Sequence, residues 1–160
     1  MLRAVRIYLV RHGDAVPEEE AGSDRDRWLS GRGREAARIL GRLLREQGVT
    51  VDAIASSPLP RAVQTAELLA GSLDHIDLIA TRRCFEPSAQ PRVAAGEIAA
   101  LGTSVLVVSH EPAISALGAF LLGRPSFPPF RTAQCCAIEA GRPTWTARSD
   151  IAQLLPYFVE

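Results

Sequence analysis

The sequence predicts an α/β fold: a single-domain, three-layer α/β/α sandwich with a mostly parallel central sheet and no large cap insertion. Three observations carry this. Short apolar runs of strand length alternate with amphipathic stretches of helix length. The strongest run, Ser104–Ser109 (SVLVVS), is continuously apolar, as in a strand covered on both faces. The chain has 160 residues, 47% apolar and 22% charged, which suits one domain over 1–160 with a real core.

In chain order, Val5–Val10 (VRIYLV) reads as a buried strand running into a turn at Arg11-His12-Gly13. Residues 14–29 are polar and predict a long surface loop, with Glu18–Glu20 solvated and mobile. From Gly33 to Gln47 the period turns helical. Ala36, Ile39, Leu40, Leu43 and Leu44 form one stripe, Arg34, Arg38, Arg42 and Arg45 the other, and Gly48 supplies the stop. Val51–Ser56 is a second strand, and Pro60 opens a helix with Ala62, Ala66, Leu69 and Leu73 on one face. Ile76–Ala80 reads as a third strand with His75 at the surface before it, 82–91 as a loop and Arg92–Leu101 as a short helix. After Ser104–Ser109, Pro112 opens a helix through Leu122 that Gly123 ends. Thr132–Glu139 and Pro143–Arg148 read as a hairpin turning at Ala140-Gly141.

Composition narrows the function. The 18 basic and 18 acidic residues cancel, so the field expected of a general nucleic-acid binder is missing. The longest run free of Asp, Glu, Lys and Arg is Ile98–His110, 13 residues, too short to span a bilayer. The N-terminus carries no recognisable signal peptide, so a cytoplasmic location is expected. Every basic residue is arginine, so an anion site here must use guanidinium forks, histidine or backbone amides. Cys84, Cys135 and Cys136 are expected to be reduced, since adjacent residues on a strand point to opposite faces.

Titratable groups gather at three strand-to-helix junctions: Arg11-His12-Gly13, Arg61, and His110-Glu111. In open α/β sheets ligands bind outside the carboxyl ends of the strands, so these residues can share one crevice. Two of them break local rules. Arg61 sits in the first turn of a helix, where the macrodipole disfavours cations. Arg11 and His12 follow directly on a buried strand. A bound anion resolves both conflicts.

Leu9-Val10-Arg11-His12-Gly13, Ser56-Ser57-Pro58-Leu59-Pro60-Arg61-Ala62-Val63-Gln64-Thr65-Ala66 and Val107-Val108-Ser109-His110-Glu111-Pro112 resemble, in order and spacing, three motifs of the histidine phosphatase superfamily. Arg27-Trp28-Leu29-Ser30-Gly31-Arg32-Gly33 is similar to the stretch that leads into that family's first helix. The resemblance implies a phosphoglycerate mutase-like fold. RHGDA at 11–15, the short chain and the missing insertion resemble the compact SixA-type phosphohistidine phosphatases. It further implies that His12 is the nucleophile, giving a covalent phosphohistidine enzyme, while Arg11, Arg61 and His110 bind the phosphoryl oxygens. No cofactor or metal is expected, because two guanidiniums fill the role that Mg²⁺ has elsewhere and no spacing resembles a metal site.

The general acid is left open among Asp14, Glu86 and Glu111. Trp28 is expected at the rim of the site. The implied substrate is a phosphohistidine-bearing protein of a signalling relay; the alternatives are a small phosphomonoester, or a phosphate-binding module without catalysis.

Overall fold

The computed structural model describes residues 6–156, so Val5 of the first expected strand lies outside it. One seven-stranded sheet has the order β3-β2-β4-β1-β5-β6-β7. Its strands are β1 (Arg6–Arg11), β2 (Ala53–Ser56), β3 (Ala80–Thr81), β4 (Ser104–Ser109), β5 (Gln134–Glu139), β6 (Arg142–Arg148) and β7 (Gln153–Pro156). The first four are parallel; β5, β6 and β7 each pair antiparallel with the strand before them in the sheet, so five of seven strands share one sense. The sheet is thus mixed, with antiparallel pairing confined to one side of β1.

The helices are α1 (Glu18–Ala21), α2 (Gly31–Glu46), α3 (Pro60–Ser72), α4 (Pro91–Leu101) and α5 (Ala113–Leu122). Two cores follow from the period-two alternation of the strands. On one face Tyr8, Val10, Ile54, Leu106, Val108 and Cys135 meet Leu40, Leu44, Ala62, Ala66 and Leu69 of α2 and α3. On the other Ile7, Leu9, Val105, Val107 and Cys136 meet Ala94, Ile98, Ile114 and Leu117 of α4 and α5. The three cysteines are free, and Cys135 and Cys136 serve opposite cores, as their adjacency on a strand requires.

Three local expectations are corrected. The acidic run at Glu18–Glu20 is the one-turn helix α1, closed by Gly22 at φ 89°. The third strand is the two-residue β3 rather than Ile76–Ala80: it is an edge strand that pairs only with Ala55 and Ser56, and Ile76 and Leu78 are left 95% exposed. His75, expected at the surface, is half-buried. The strand β7 carried no periodic signal because it is four residues long at the opposite edge.

The sheet positions the site. Neighbouring β1 and β4 end level, with Arg11 opposite Ser109, yet the helices that follow them, α2 and α5, cover opposite faces. This is the point where chain exits diverge and leave a crevice. The chain leaving β1 is pressed against the start of α2. Ser30 caps α2 by accepting from the Gly33 N–H (3.0 Å), and its own N–H donates to the Asp14 carbonyl (3.0 Å). A Cβ on Gly33 would lie 2.0 Å from that same carbonyl oxygen, backbone that has no room to give. Gly33→Ala is therefore expected to cost about 1–3 kcal/mol, a Tm drop on the order of 5 °C for a chain of this size. Thermal unfolding checks this; a wild-type Tm would mean the two segments separate freely.

Candidate active site

The ladder between β1 and β4 continues one residue past the strands, because the His12 N–H donates to the Ser109 carbonyl (3.1 Å). That step brings the His12 and His110 rings together, with centroids 4.9 Å apart and planes inclined by 57°. Similarly, the Ser57 N–H donates to the Val108 carbonyl (3.1 Å), which fixes the start of α3 and so Arg61, its second residue. Arg11, His12, Arg61 and His110, the four residues expected to converge, line one cavity of about 340 Å³. Asp14, Asp24, Arg27 and Glu111 line it as well.

His12 is 7% exposed, and its Nδ1 lies 2.7 Å from the Gly13 carbonyl. A carbonyl only accepts, so Nδ1 carries the proton and Nε2 keeps a lone pair. Burial, then the charges of Arg61, Arg11 and Arg27, push the His12 pKa down to about 4 against the opposing pull of the Gly13 hydrogen bond. The ring is neutral across the physiological range, with Nε2 unprotonated.

His110 is set up the other way round. Its Nε2 lies 2.8 Å from Ser57 Oγ, which already accepts from the Leu59 N–H (3.2 Å). The Ser57 proton is then best placed on His110 Nε2, which leaves the histidine proton on Nδ1. That Nδ1 is buried with no hydrogen-bond partner in the protein, a donor suited to an anion. Burial and the proximity of His12, Arg61 and Arg11 push the His110 pKa down to about 2, so it donates as a neutral imidazole.

The two arginines are held by part of their forks. Arg11 Nη1 donates to the Phe130 carbonyl (2.8 Å), and Arg61 Nη1 donates to the Asp24 carbonyl (2.7 Å). In both, Nε is buried without a protein partner. Buried donors left unmade cost about 1–3 kcal/mol each, a cost that an oxyanion removes. Arg61 was expected to need an external anion at its helix start. Within the chain, the Asp24 carboxylate (3.4 Å), 37 positions away and outside every motif, balances part of its charge.

Further polar residues lock this frame. The Gly13 N–H donates to Thr65 Oγ1 (3.0 Å), whose hydroxyl donates to the Arg61 carbonyl (2.8 Å), tying the loop after β1 to the first turns of α3. The Ala133 N–H donates to both the Arg11 and His12 carbonyls (3.1 and 3.0 Å), with Ala133 itself at φ 53°. A non-glycine residue in that left-handed region is strained and persists only where its surroundings fix it. Sequence reasoning missed Ser57, Thr65, Asp24, Phe130 and Ala133. Ser57 and Thr65 lie inside a motif already noticed, whereas 130–133 carries no motif at all.

The three carboxylates left open as acids are all engaged. Asp14 Oδ2 accepts from Ser30 Oγ (2.7 Å), and its Oδ1 faces Arg32 (3.4 Å). Glu86 pairs with Arg25 (2.8 Å) and does not line the cavity. Glu111 accepts from the Phe130 N–H (3.1 Å) and from Ser115 Oγ (2.8 Å). Trp28, expected at the rim, is about one-third exposed and lies outside the lining. Among the described residues, no group of three His, Cys, Asp or Glu side chains is placed to hold a metal. None of their helices is long and apolar enough to cross a membrane.

Comparison with known proteins bears on the family and the fold. Over 148 residues the chain is 28% identical to phosphohistidine phosphatase SixA of Escherichia coli (strain K12), covering 88% of this chain and 91% of that one. The solved structure of the protein histidine phosphatase SixA complexed with tungstate superposes with a TM-score of 0.84 at 27% identity, covering 92% of this chain and 99% of that chain. A putative phosphohistidine phosphatase SixA from Agrobacterium tumefaciens superposes with a TM-score of 0.74 at 26% identity, covering 84% and 91%. Residues 7–87, half the chain, match the family model of the histidine phosphatase superfamily (branch 1). The chain belongs to that superfamily and is a phosphatase.

Proposed function

We propose that this phosphatase removes the phosphoryl group from phosphohistidine on a protein, such as a phosphotransfer domain, through a covalent phosphohistidine on His12. The observation that carries the reading is the His12 tautomer. The Gly13 carbonyl holds the proton on Nδ1, leaving an unprotonated Nε2 in a cavity that also receives Arg11, Arg61 and His110. The E. coli relative is named a phosphohistidine phosphatase, and the solved SixA binds tungstate, an oxyanion. Both support the assignment.

In the first step the His12 Nε2 lone pair attacks phosphorus while the P–N bond to the substrate imidazole breaks, its electron pair going to that nitrogen. Phosphoimidazole takes a solvent proton on its other ring nitrogen, so it departs as a neutral imidazole without an acid from the enzyme. In the second step water attacks phosphorus, the bond to Nε2 breaks, and His12 regains its lone pair as phosphate leaves. Throughout, Arg11 and Arg61 offer Nε–H to the phosphoryl oxygens and His110 offers Nδ1–H. Donors fixed before reaction need no reorganisation as charge moves.

Two further observations favour a protein substrate over a small phosphomonoester. An alkoxide leaving group needs a proton from the enzyme, and the candidate carboxylates are already held as acceptors or in ion pairs. The phosphate cavity also opens into a groove of about 710 Å³ beside α2 through the shared residues Arg11, Asp14 and Thr132, so residues flanking a phosphohistidine have a path out of the site.

Enzyme quenched during turnover of a phosphohistidine protein is expected to carry acid-labile, base-stable phosphate on His12. Label elsewhere, or none while turnover is measurable, overturns the mechanism. Arg61→Ala should slow the chemical step by roughly 10²–10³-fold, as for loss of one preorganised oxyanion donor. It should also weaken the rise in Tm that vanadate gives, and Arg61→Lys should restore only part, since a point charge cannot replace the fork. Unchanged turnover per folded molecule of Arg61→Ala argues against the assignment.

The pH profile has a definite sign. His12 is lowered from 6.5 to about 4 in the fold, so the acid limb of kcat/KM, corrected for the substrate's own titration, should fall near pH 4. The unfolded chain takes up this proton first. Stability should therefore be lost as pH falls from about 6.5 towards 4, and His110 should extend the loss further. An acid limb at the ordinary histidine value would place His12 in a more solvated setting than its 7% exposure allows.

A further inference from the structure

The three candidate carboxylates are not equivalent. Asp14 serves the cap of α2, and Glu86 pairs with Arg25 and is not among the residues lining the cavity. Glu111 stands directly after His110, where a proton donor to the leaving group would be convenient, yet both its oxygens point at hydrogen-bond donors. Oε1 accepts from the Phe130 backbone N–H (3.1 Å), and Oε2 accepts from the Ser115 hydroxyl one turn along α5 (2.8 Å). An amide N–H can only donate, so a proton on Oε1 would oppose it.

What the Phe130 bond achieves becomes clear at the other end of that residue. The Phe130 carbonyl accepts from Arg11 Nη1 (2.8 Å), and that one contact decides which part of the Arg11 fork stays available for a ligand. Phe130 is 4% exposed and stacks on Phe127 (centroids 5.7 Å apart), so its side chain locates the segment by packing. Packing of a ring fixes where the backbone runs more firmly than the rotation of its peptide groups. Rotation is what sets the direction of the carbonyl, and Glu111 pins it from the N–H side.

We propose that Glu111 is a positioning residue that orients Arg11 through the backbone of Phe130, and not a proton donor to the leaving group. The line of contacts runs from the loop after β4, through the link before β5, to the arginine at the end of β1. It joins the two histidine-bearing junctions on the side away from α3, as Thr65 joins β1 to α3 on the near side. The proposal deepens the reading of the site as a phosphohistidine phosphatase and rests on it for the role of Arg11.

Two substitutions in the full chain separate positioning from proton donation. Glu111→Gln cannot supply an acid proton but keeps a carbonyl oxygen for the Phe130 N–H. Its NH₂ can donate to Ser115 Oγ, whose own proton has the Pro112 carbonyl within reach (3.2 Å). Glu111→Ala removes both bonds. We expect Glu111→Gln to stay within about threefold of wild type in kcat/KM. Glu111→Ala should lose on the order of 10- to 100-fold, the usual effect of removing an outer partner that orients a ligand-binding group.

Three readouts accompany these values. Across aryl phosphates of graded leaving-group pKa, the dependence of kcat/KM on that pKa should keep the wild-type slope in both variants, since neither alters protonation of the leaving group. Inorganic phosphate and vanadate should raise the Tm of Glu111→Gln as they do for wild type, and raise that of Glu111→Ala less. Phosphate on His12 in quenched enzyme tests the underlying reading separately, and the Tm shift needs no substrate, so failure of one is told apart from failure of the other. A steeper slope in Glu111→Gln, with activity as low as in Glu111→Ala, would make Glu111 the acid and overturn the proposal. Wild-type turnover and wild-type phosphate protection in Glu111→Ala would overturn it too. Where Glu111→Ala does not fold, Glu111→Gln and the slope still decide.

Discussion

Arg11 pairs with Ser109 at the last rung of the β1–β4 ladder, and because α2 and α5 lie on opposite faces the chain must diverge there. Everything in the site depends on that level ending. It places His12 and His110 ring to ring, and the Ser57–Val108 bond brings the third strand end to the same height. A shift of one residue between β1 and β4 would turn the apolar side chains of β1 to the wrong cores as well as separate the histidines. The two cores therefore enforce the geometry of the site, and no residue of the site has to hold the register itself.

Within that frame the electrostatics rest on a division of labour between histidine and arginine. Burial makes the charged form of either imidazole unfavourable, and the arginines add to this, so both histidines are neutral. Neutrality lets their hydrogen-bond partners, the Gly13 carbonyl and the Ser57 hydroxyl, assign opposite tautomers to two otherwise similar rings. One ring offers a lone pair and the other an N–H. The fixed positive charge falls to the guanidinium forks of Arg11 and Arg61.

Much of this was legible in the sequence because it is carried by strong local signals. SVLVVS announces a strand buried on both faces, and Arg61 announces itself by standing where a helix start disfavours a cation. The adjacent Cys135 and Cys136 mark a strand shared between two cores, as found. Failures came where a tertiary partner outweighs the pattern. Ile76 and Leu78 look like strand residues but lie beyond the two-residue pairing that an edge strand provides. Asp24 and Ala133 act through backbone groups and through contacts across 37 and more than 120 positions, for which no short-range pattern exists.

The carboxylates show the same limit at the level of chemistry. A sequence places Asp14 and Glu111 beside the two histidines but says nothing of what their oxygens face, and for a carboxyl group that is what decides the role. A proton donor must keep at least one oxygen clear of N–H groups; an orienting carboxylate must do the reverse. Asp14 faces a hydroxyl and a guanidinium, and Glu111 faces a hydroxyl and a backbone N–H that can only donate. Each ties a neighbouring element in place through the donors its oxygens accept from. A site furnished in this way favours a leaving group that collects its proton from water. In the proposed reaction imidazole on phosphorus takes that proton on its second nitrogen, more readily than an ester oxygen does, so the contacts of these two carboxylates bear on the choice of leaving group.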